Sequence, residues 1–325
     1  MYNGNRRKSV NESRDLTAGW IAQGESGHKV GVCTRVHGQR GGLVRHDEEV
    51  QLVVTCDERY LGPLRTLLAS IAVNCPGERV HVWLLHSEVP TARLEDMTAY
   101  CAVLGMGFSA HVVDRALFED ARASSRYPQE MYYRLLAPLQ LDVPAGRALY
   151  MDPDTLVINP LRPLWDIELH GAAFAAASHL DAGHIVTGLN NIRLDTDHEY
   201  FNTGVILMDV AAAREVMHPQ ELFDYASEHE LSLMFPDQDL FNSLYGRYTL
   251  PVADVRWNYD ARKYSDYLVR TAGESTMEWV MAHTSILHFC GRSKPWARSH
   301  RGRFCALYRN YMQIAERVWE RATKE

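Results

Sequence analysis

The chain has no Cys-x-x-Cys pair; its six cysteines, Cys33, Cys56, Cys75, Cys101, Cys290 and Cys305, are scattered. That spacing excludes a zinc cage or a dense disulfide framework and predicts reduced, mostly buried thiols. No Gly-x-Gly-x-x-Gly follows the first apolar segment, and the Gly-rich loop ending in Gly-Lys-Ser/Thr is absent. Dinucleotide oxidoreductases and P-loop phosphotransferases are therefore left without their phosphate-binding loops. No apolar run reaches the length of a membrane span, and the polar start MYNGNRRKSVNESRD lacks the apolar stretch of a secretory leader. A cytoplasmic location is expected, and no internal repeat is visible.

Positive charge is scarce through the middle of the chain. The net charge of −7 resolves into +2 over residues 1–49, +4 over 297–325 and −13 over the body between them. An acidic body repels phosphate backbones, which argues against a nucleic-acid partner and suits a phosphate ligand bridged by a metal ion. The composition, 46% hydrophobic and 23% charged, is that of a globular protein with a large core. At 325 residues, one decorated catalytic domain is the economical organisation.

The first 49 residues hold 8 of the 21 glycines and show no sustained period, so they read as a poorly packed extension. From Val50 the pattern changes. Apolar QLVVTC, the helical spacing of YLGPLRTLLASIAVN and apolar RVHVWLLHS predict strand, helix, strand. The alternation continues with a helix over Thr91–Leu104, a strand over Phe108–Val113, a helix over Gln129–Leu139 and a strand over Ala148–Met151. Such alternation builds an α/β fold with a mostly parallel central sheet flanked by helices. Ligands of these sheets bind beyond the carboxyl ends of the strands.

The strand ALYM runs into Asp152-Pro153-Asp154. In an extended segment positions i and i+2 point to the same side, so both carboxylates can face one hard cation such as Mn²⁺ or Mg²⁺. An isolated Asp-x-Asp is more often a solvated turn or a helix cap. Far downstream, ILHFCGRSKPW supplies an imidazole at His288 to complete such a site, a glycine at Gly291 for close backbone approach and a cation at Lys294 for a diphosphate. Taken alone, His288 would be a hydrogen-bonded core residue; the combination argues for a ligand.

The segments VVTCDERY, LLASI, MYYRLLAPLQL, YMDPDTLV, YFNTGVILMD, FPDQDLFN, RWNY and HFCGRSKPW follow one another from about Leu52 to Trp296. In that order they resemble retaining glycosyltransferase family 8, which includes bacterial lipopolysaccharide galactosyl- and glucosyltransferases and the glycogenins. The resemblance implies a GT-A nucleotide-sugar-binding fold over residues 50–296 and use of Mn²⁺. It implies metal ligation by Asp152, Asp154 and His288, with Asp152 also reaching the donor. Asp57 and Tyr60 would hold the nucleotide base, and Gly291 and Lys294 the diphosphate. Arg134, Asn202, Asp237 and Gln238 would surround the transferred sugar. Arg59 stands before Tyr60 where the family favours a small polar residue. The stretch after AAFAAAS, including His179 and Asp181, departs from the family pattern, so acceptor identity is left open.

The implied reaction transfers galactose or glucose from a UDP-sugar to a saccharide, lipid-linked in the lipopolysaccharide branch of the family. Attack on the face from which the diphosphate leaves is favoured over a covalent intermediate, because Gln238 is a poor nucleophile. A nucleotide-sugar hydrolase, a self-glycosylating protein of the glycogenin kind and a silent sugar-nucleotide binder are the alternatives. In the tail, Phe304, Leu307, Tyr308, Tyr311, Ala315 and Val318 recur at helical spacing amid Arg298, Arg301, Arg303, Arg309, Arg317 and Arg321. This basic, aromatic helix over 297–325 either closes the core or attaches the enzyme peripherally to the inner face of an anionic membrane. The resemblance favours attachment.

Overall fold

The computed structural model describes residues 48–113, 132–144, 146–178 and 185–324. The extension expected over residues 1–49 lies almost wholly outside them, as do His179, Asp181 and the start of the helix expected over 129–139.

The chain opens with β1 (Val50–Thr55), α1 (Leu61–Asn74), β2 (Val80–His86), α2 (Thr91–Val103) and β3 (Gly107–Val112). These three strands pair in parallel, and β1 is buried almost end to end, as a strand covered on both faces must be. Next come α3 (Tyr133–Gln140), β4 (Arg147–Met151), β5 (Thr155–Val157), α4 (Arg162–Trp165), β6 (Phe174–Ser178) and α5 (Ile185–Leu194). β7 (Phe201–Asp209) then precedes α6 (Val210–Val216), α7 (Pro219–Glu228), α8 (Pro236–Tyr245) and β8 (Thr249–Val252). The last elements are α9 (Asp254–Trp257), β9 (Tyr259–Asp260), α10 (Tyr264–Arg270), α11 (Met277–His283), β10 (Ile286–His288) and α12 (Cys305–Ala322).

Seven strands form the main sheet in the order β3-β2-β1-β4-β7-β6-β8, and β5-β10-β9 form a small second sheet. The main sheet is mostly parallel, as expected. β7 is the exception and runs antiparallel to both β4 and β6. This reversal matters for the site, because it brings the beginning of β7 beside the carboxyl end of β4, with Met151 opposite Val205.

The Asp152-Pro153-Asp154 segment differs from its expected form. It is a turn between β4 and β5, closed by a bond from the Thr155 backbone N–H to the Asp152 carbonyl at 3.1 Å. Pro153 can donate no ladder bond, and the chain leaves the main sheet here for the small one. The two carboxylates converge through this turn and not through strand alternation.

The tail also differs from the reading that the resemblance favoured. Helix α12 packs on α1 and α2, with Phe304, Tyr308, Tyr311 and Ala315 buried. Asn74 on α1 ties the joint: its side-chain amide donates to the Ser70 carbonyl at 2.9 Å, the Val157 carbonyl at 3.0 Å and the Tyr311 hydroxyl at 2.7 Å. The aromatic face expected to enter a membrane therefore belongs to the protein core, since burial against α1 satisfies the same apolar surface. Among the described residues, no helix is long and apolar enough to cross a membrane.

Candidate active site

The carboxyl end of β1, the turn after β4, the start of β7 and the first turns of α3 and α8 meet above one end of the main sheet. The small sheet closes the other side. Its register sets His288 opposite Thr155 on β5 and beside Asp260 on β9, so the imidazole comes over the Asp152–Asp154 turn. His288 Nε2 lies 3.7 Å from Asp152 Oδ2 and 3.4 Å from Asp154 Oδ1. One ligand atom from each of the three residues falls within 4.8 Å of the others.

The neighbours of this cluster decide what it can hold. His288 Nδ1 lies 2.9 Å from Asn258 Oδ1, which can only accept, so Nδ1 carries the proton and Nε2 turns toward the carboxylates. Space is kept by Gly204 on β7, where a Cβ would stand 2.2 Å from His288 Cε1 and 2.9 Å from Asp152 Oδ2. Two carboxylates, an imidazole nitrogen and a cradle kept clear of side chains fit a divalent cation.

The surrounding charges respond to the same cluster. Burial works against a charged His288, yet Cys290 and Asp154 hold its pKa well above the ordinary imidazole range. Burial likewise opposes ionisation of Asp154, but His288 and Lys294 together pull its pKa far down. Lys294 Nζ makes a close ion pair with Asp154 and also donates to the Phe289 carbonyl at 3.2 Å.

Arg134, which in sequence could pass for a surface cation, is largely enclosed between carboxylates. Its Nη1 lies 3.1 Å from Asp152 Oδ1 and 3.1 Å from Asp237 Oδ2. Burial disfavours its charge, but Asp152, Tyr150 and Asp237 hold the guanidinium firmly protonated. Burial also raises the pKa of Tyr150, so its hydroxyl remains a donor and reaches Asp152 Oδ1 at 2.7 Å. Asp237 Oδ2 accepts from the Thr203 hydroxyl at 3.2 Å. Asn202 donates to Gln238 Oε1 at 3.0 Å.

Two adjoining cavities share Arg134, Asp152, Asp154, Asp237 and Lys294. One of about 540 Å³ reaches outward past Thr55, Asp57, Arg59 and Tyr60. The other, of about 470 Å³, is walled by Asn202, Gly204, Gln238, His288, Gly291 and further residues. In the first, Tyr60 meets Trp296 edge to face with centroids 5.8 Å apart, and the Asp57 carboxylate takes Arg59 at 2.5 and 2.8 Å. In the second, Gly291 has φ +83°, a conformation that suits glycine, and a Cβ there would meet the end of Arg262 at 2.5 Å.

All eleven sequence-predicted site residues thus line these two cavities. Sequence reasoning gave no role to Asn258, Gly204, Thr203, Tyr150 or Tyr200. Asn258 stands in RWNY and Gly204 in YFNTG, so the motifs were visible although their reasons were not.

The two cavities join at an acidic cradle where the parallel sheet meets its antiparallel strand, in a fold of the GT-A class. The chain belongs to glycosyl transferase family 8, whose model matches residues 51–300. General stress protein A of Bacillus subtilis (strain 168) is 27% identical over 283 residues, covering 84% of this chain and 96% of that protein. A lipopolysaccharide 1,2-glucosyltransferase of Escherichia coli is 21% identical over 249 residues, covering 74% of this chain and 71% of its own length. Among solved structures, the galactosyltransferase LgtC in complex with donor and acceptor sugar analogs superposes with a TM-score of 0.67. The match is 18% identical and covers 82% of this chain and 96% of LgtC.

Proposed function

We propose that this enzyme transfers galactose or glucose from a UDP-sugar to a saccharide acceptor with retention of anomeric configuration. The observation that carries the proposal is the convergence of Asp152, Asp154 and His288 at the junction of the two cavities. Mn²⁺, with Mg²⁺ as substitute, would be held by these three residues and would supply charge for the departing diphosphate.

The protein's own groups do the rest. Tyr60 and Asp57 line the outer cavity, which suits a nucleoside, with Tyr60 offering its ring to the base. Lys294 and the backbone at Gly291 lie where a diphosphate needs countercharge and close approach. Arg134, Asn202, Asp237 and Gln238 surround the space left for the sugar and orient its hydroxyls. Asp237 is occupied by Arg134 and Thr203, which makes it a weak nucleophile. That supports attack by the acceptor on the same face from which UDP departs. The lipopolysaccharide enzyme among the relatives makes a lipid-linked saccharide the first acceptor to try. With the tail's aromatic face buried, contact with an anionic membrane would rest on its arginines alone.

Incubating the protein with Mn²⁺, a panel of UDP-sugars and saccharide acceptors, and following UDP and the anomeric product by NMR, tests this reading. The expected result is a retained glycosidic product that requires the metal, with Asp154→Asn losing both turnover and Mn²⁺ binding. Free sugar as the sole product would identify a hydrolase, and a mass increment on the chain itself a self-glycosylating protein. Wild-type Mn²⁺ binding by Asp154→Asn would overturn the metal site.

A further inference from the structure

Beyond the metal cluster, the hydrogen bonds from His288 do not stop at Asn258. Asn258 Nδ2 donates to Asn202 Oδ1 at 2.8 Å, and Asn202 Nδ2 donates to Gln238 Oε1 at 3.0 Å. Gln238 shares the cavity wall with Tyr200 and bears on its hydroxyl, which donates to Asp239 Oδ1 at 2.5 Å. Asp239 is fully buried and accepts Arg193 on both oxygens, at 2.7 and 2.8 Å, together with the backbone N–H groups of Met234 and Phe235. Two runs of hydrogen bonds thus meet at Gln238 and Tyr200, one coming from the imidazole and the other ending on the Asp239–Arg193 ion pair between α5 and α8.

Their direction is determined at two places. The backbone N–H of Gly204 can only donate, and it meets Asn202 Oδ1 at 3.0 Å. This fixes which end of the Asn202 amide is oxygen, so Asn258 must present its NH₂ to Asn202 and its oxygen to His288. At the other end Asp239 stays ionised: burial disfavours its charge, but Arg193, Tyr200 and the two backbone donors outweigh it. An ionised carboxylate only accepts. Burial raises the Tyr200 pKa, so Tyr200 keeps its proton and donates it to Asp239, which leaves its oxygen to take the Gln238 NH₂. Every link then points the same way, away from His288.

We infer that His288, Asn258, Asn202, Gln238, Tyr200 and Asp239 form one directed hydrogen-bond chain that fixes both the ligand face of His288 and the amide orientation of Gln238. The inference rests on the proposed metal site. Asn258 and Tyr200 are positioning residues in it: Asn258 holds the imidazole with Nε2 toward Asp152 and Asp154, and Tyr200 holds Gln238. A flipped Gln238 would present the wrong end of its amide to the sugar.

Three variants separate the two halves of the chain. Mn²⁺ binding in the presence of UDP is read by electron paramagnetic resonance, and kcat and KM are read with whichever UDP-sugar of the panel serves as donor. Asn258→Leu removes the acceptor for His288 and is expected to weaken Mn²⁺ by about 10–100-fold. Asn258→Asp keeps an oxygen for His288 but cannot donate to Asn202; it should bind Mn²⁺ as the wild type does while kcat falls. Tyr200→Phe should also leave Mn²⁺ binding unchanged and lower kcat with little change in KM. Equal Mn²⁺ losses in Asn258→Asp and Asn258→Leu would overturn the inference, as would a wild-type kcat in Tyr200→Phe. If Asn258→Leu does not fold, the other two variants decide. Asp154→Asn is the reference: if it binds Mn²⁺ normally the metal site itself fails, whereas loss of binding there with none in Asn258→Leu sinks only the chain.

Discussion

Gly204 shows how one missing methyl group can define a site. In sequence it is a glycine inside an apolar strand, which usually signals a bulge or weak packing. In the fold it faces His288 and Asp152 at distances where no Cβ fits. Gly204→Ala is expected to keep the sheet, because the nearest atoms belong to side chains that can shift. It should lower turnover by about 100-fold, the scale set by misplacing a reacting group by roughly an ångström. Circular dichroism and a Mn²⁺ titration of the initial rate check this; an unchanged rate would mean that the imidazole position is not critical. The cluster of Asp152, Asp154 and His288, a candidate metal site, was legible because chemistry restricts which side chains can bind a hard cation. Gly204 and Asn258 were not, because each acts through a neighbour brought close only by folding.

The strands up to β4 and the helices α1 and α2 were legible to within a residue or two at their ends, because parallel strands covered on both faces leave continuous apolar runs. The direction of β7 was not, since YFNTGVILMD is equally apolar whichever way it is paired. Helix α12 was legible as an amphipathic helix, but the same apolar face suits a membrane or a core. Its register against α1 depends on Asn74, whose three side-chain bonds connect α1, β5 and α12. Asn74→Ala leaves the Tyr311 hydroxyl and the Val157 carbonyl without these bonds, and should cost about 1–3 kcal/mol. Urea denaturation checks the value. A change of a few tenths would show that the joint is held by apolar packing alone.

At the scale of the whole molecule, the two sheets divide the work: the main sheet carries Asp152 in at the end of β4 and Asn202 and Gly204 at the start of β7, and the small sheet supplies His288 and the approach to Lys294. A sequence pattern could order these segments along the chain but could not show that the turn after β4 stitches the sheets together. The ion pair between Lys294 and Asp154 has a kinetic consequence. A lysine already answers one of the carboxylates, so a bare cation must compete with a tethered internal rival. A cation arriving as a chelate with the nucleotide sugar carries phosphate oxygens that give the lysine somewhere else to go. Loading should then be ordered, with the chelated donor preferred over the free ion. Isothermal titration would show weak heats for Mn²⁺ alone and strong ones for Mn²⁺ with UDP, and Lys294→Met would raise the affinity for Mn²⁺ alone. An unchanged affinity in that variant would leave the lysine no part in the order of assembly. The enzyme's first discrimination would then fall on whether a cation arrives with its cargo, before any question of which sugar that cargo carries.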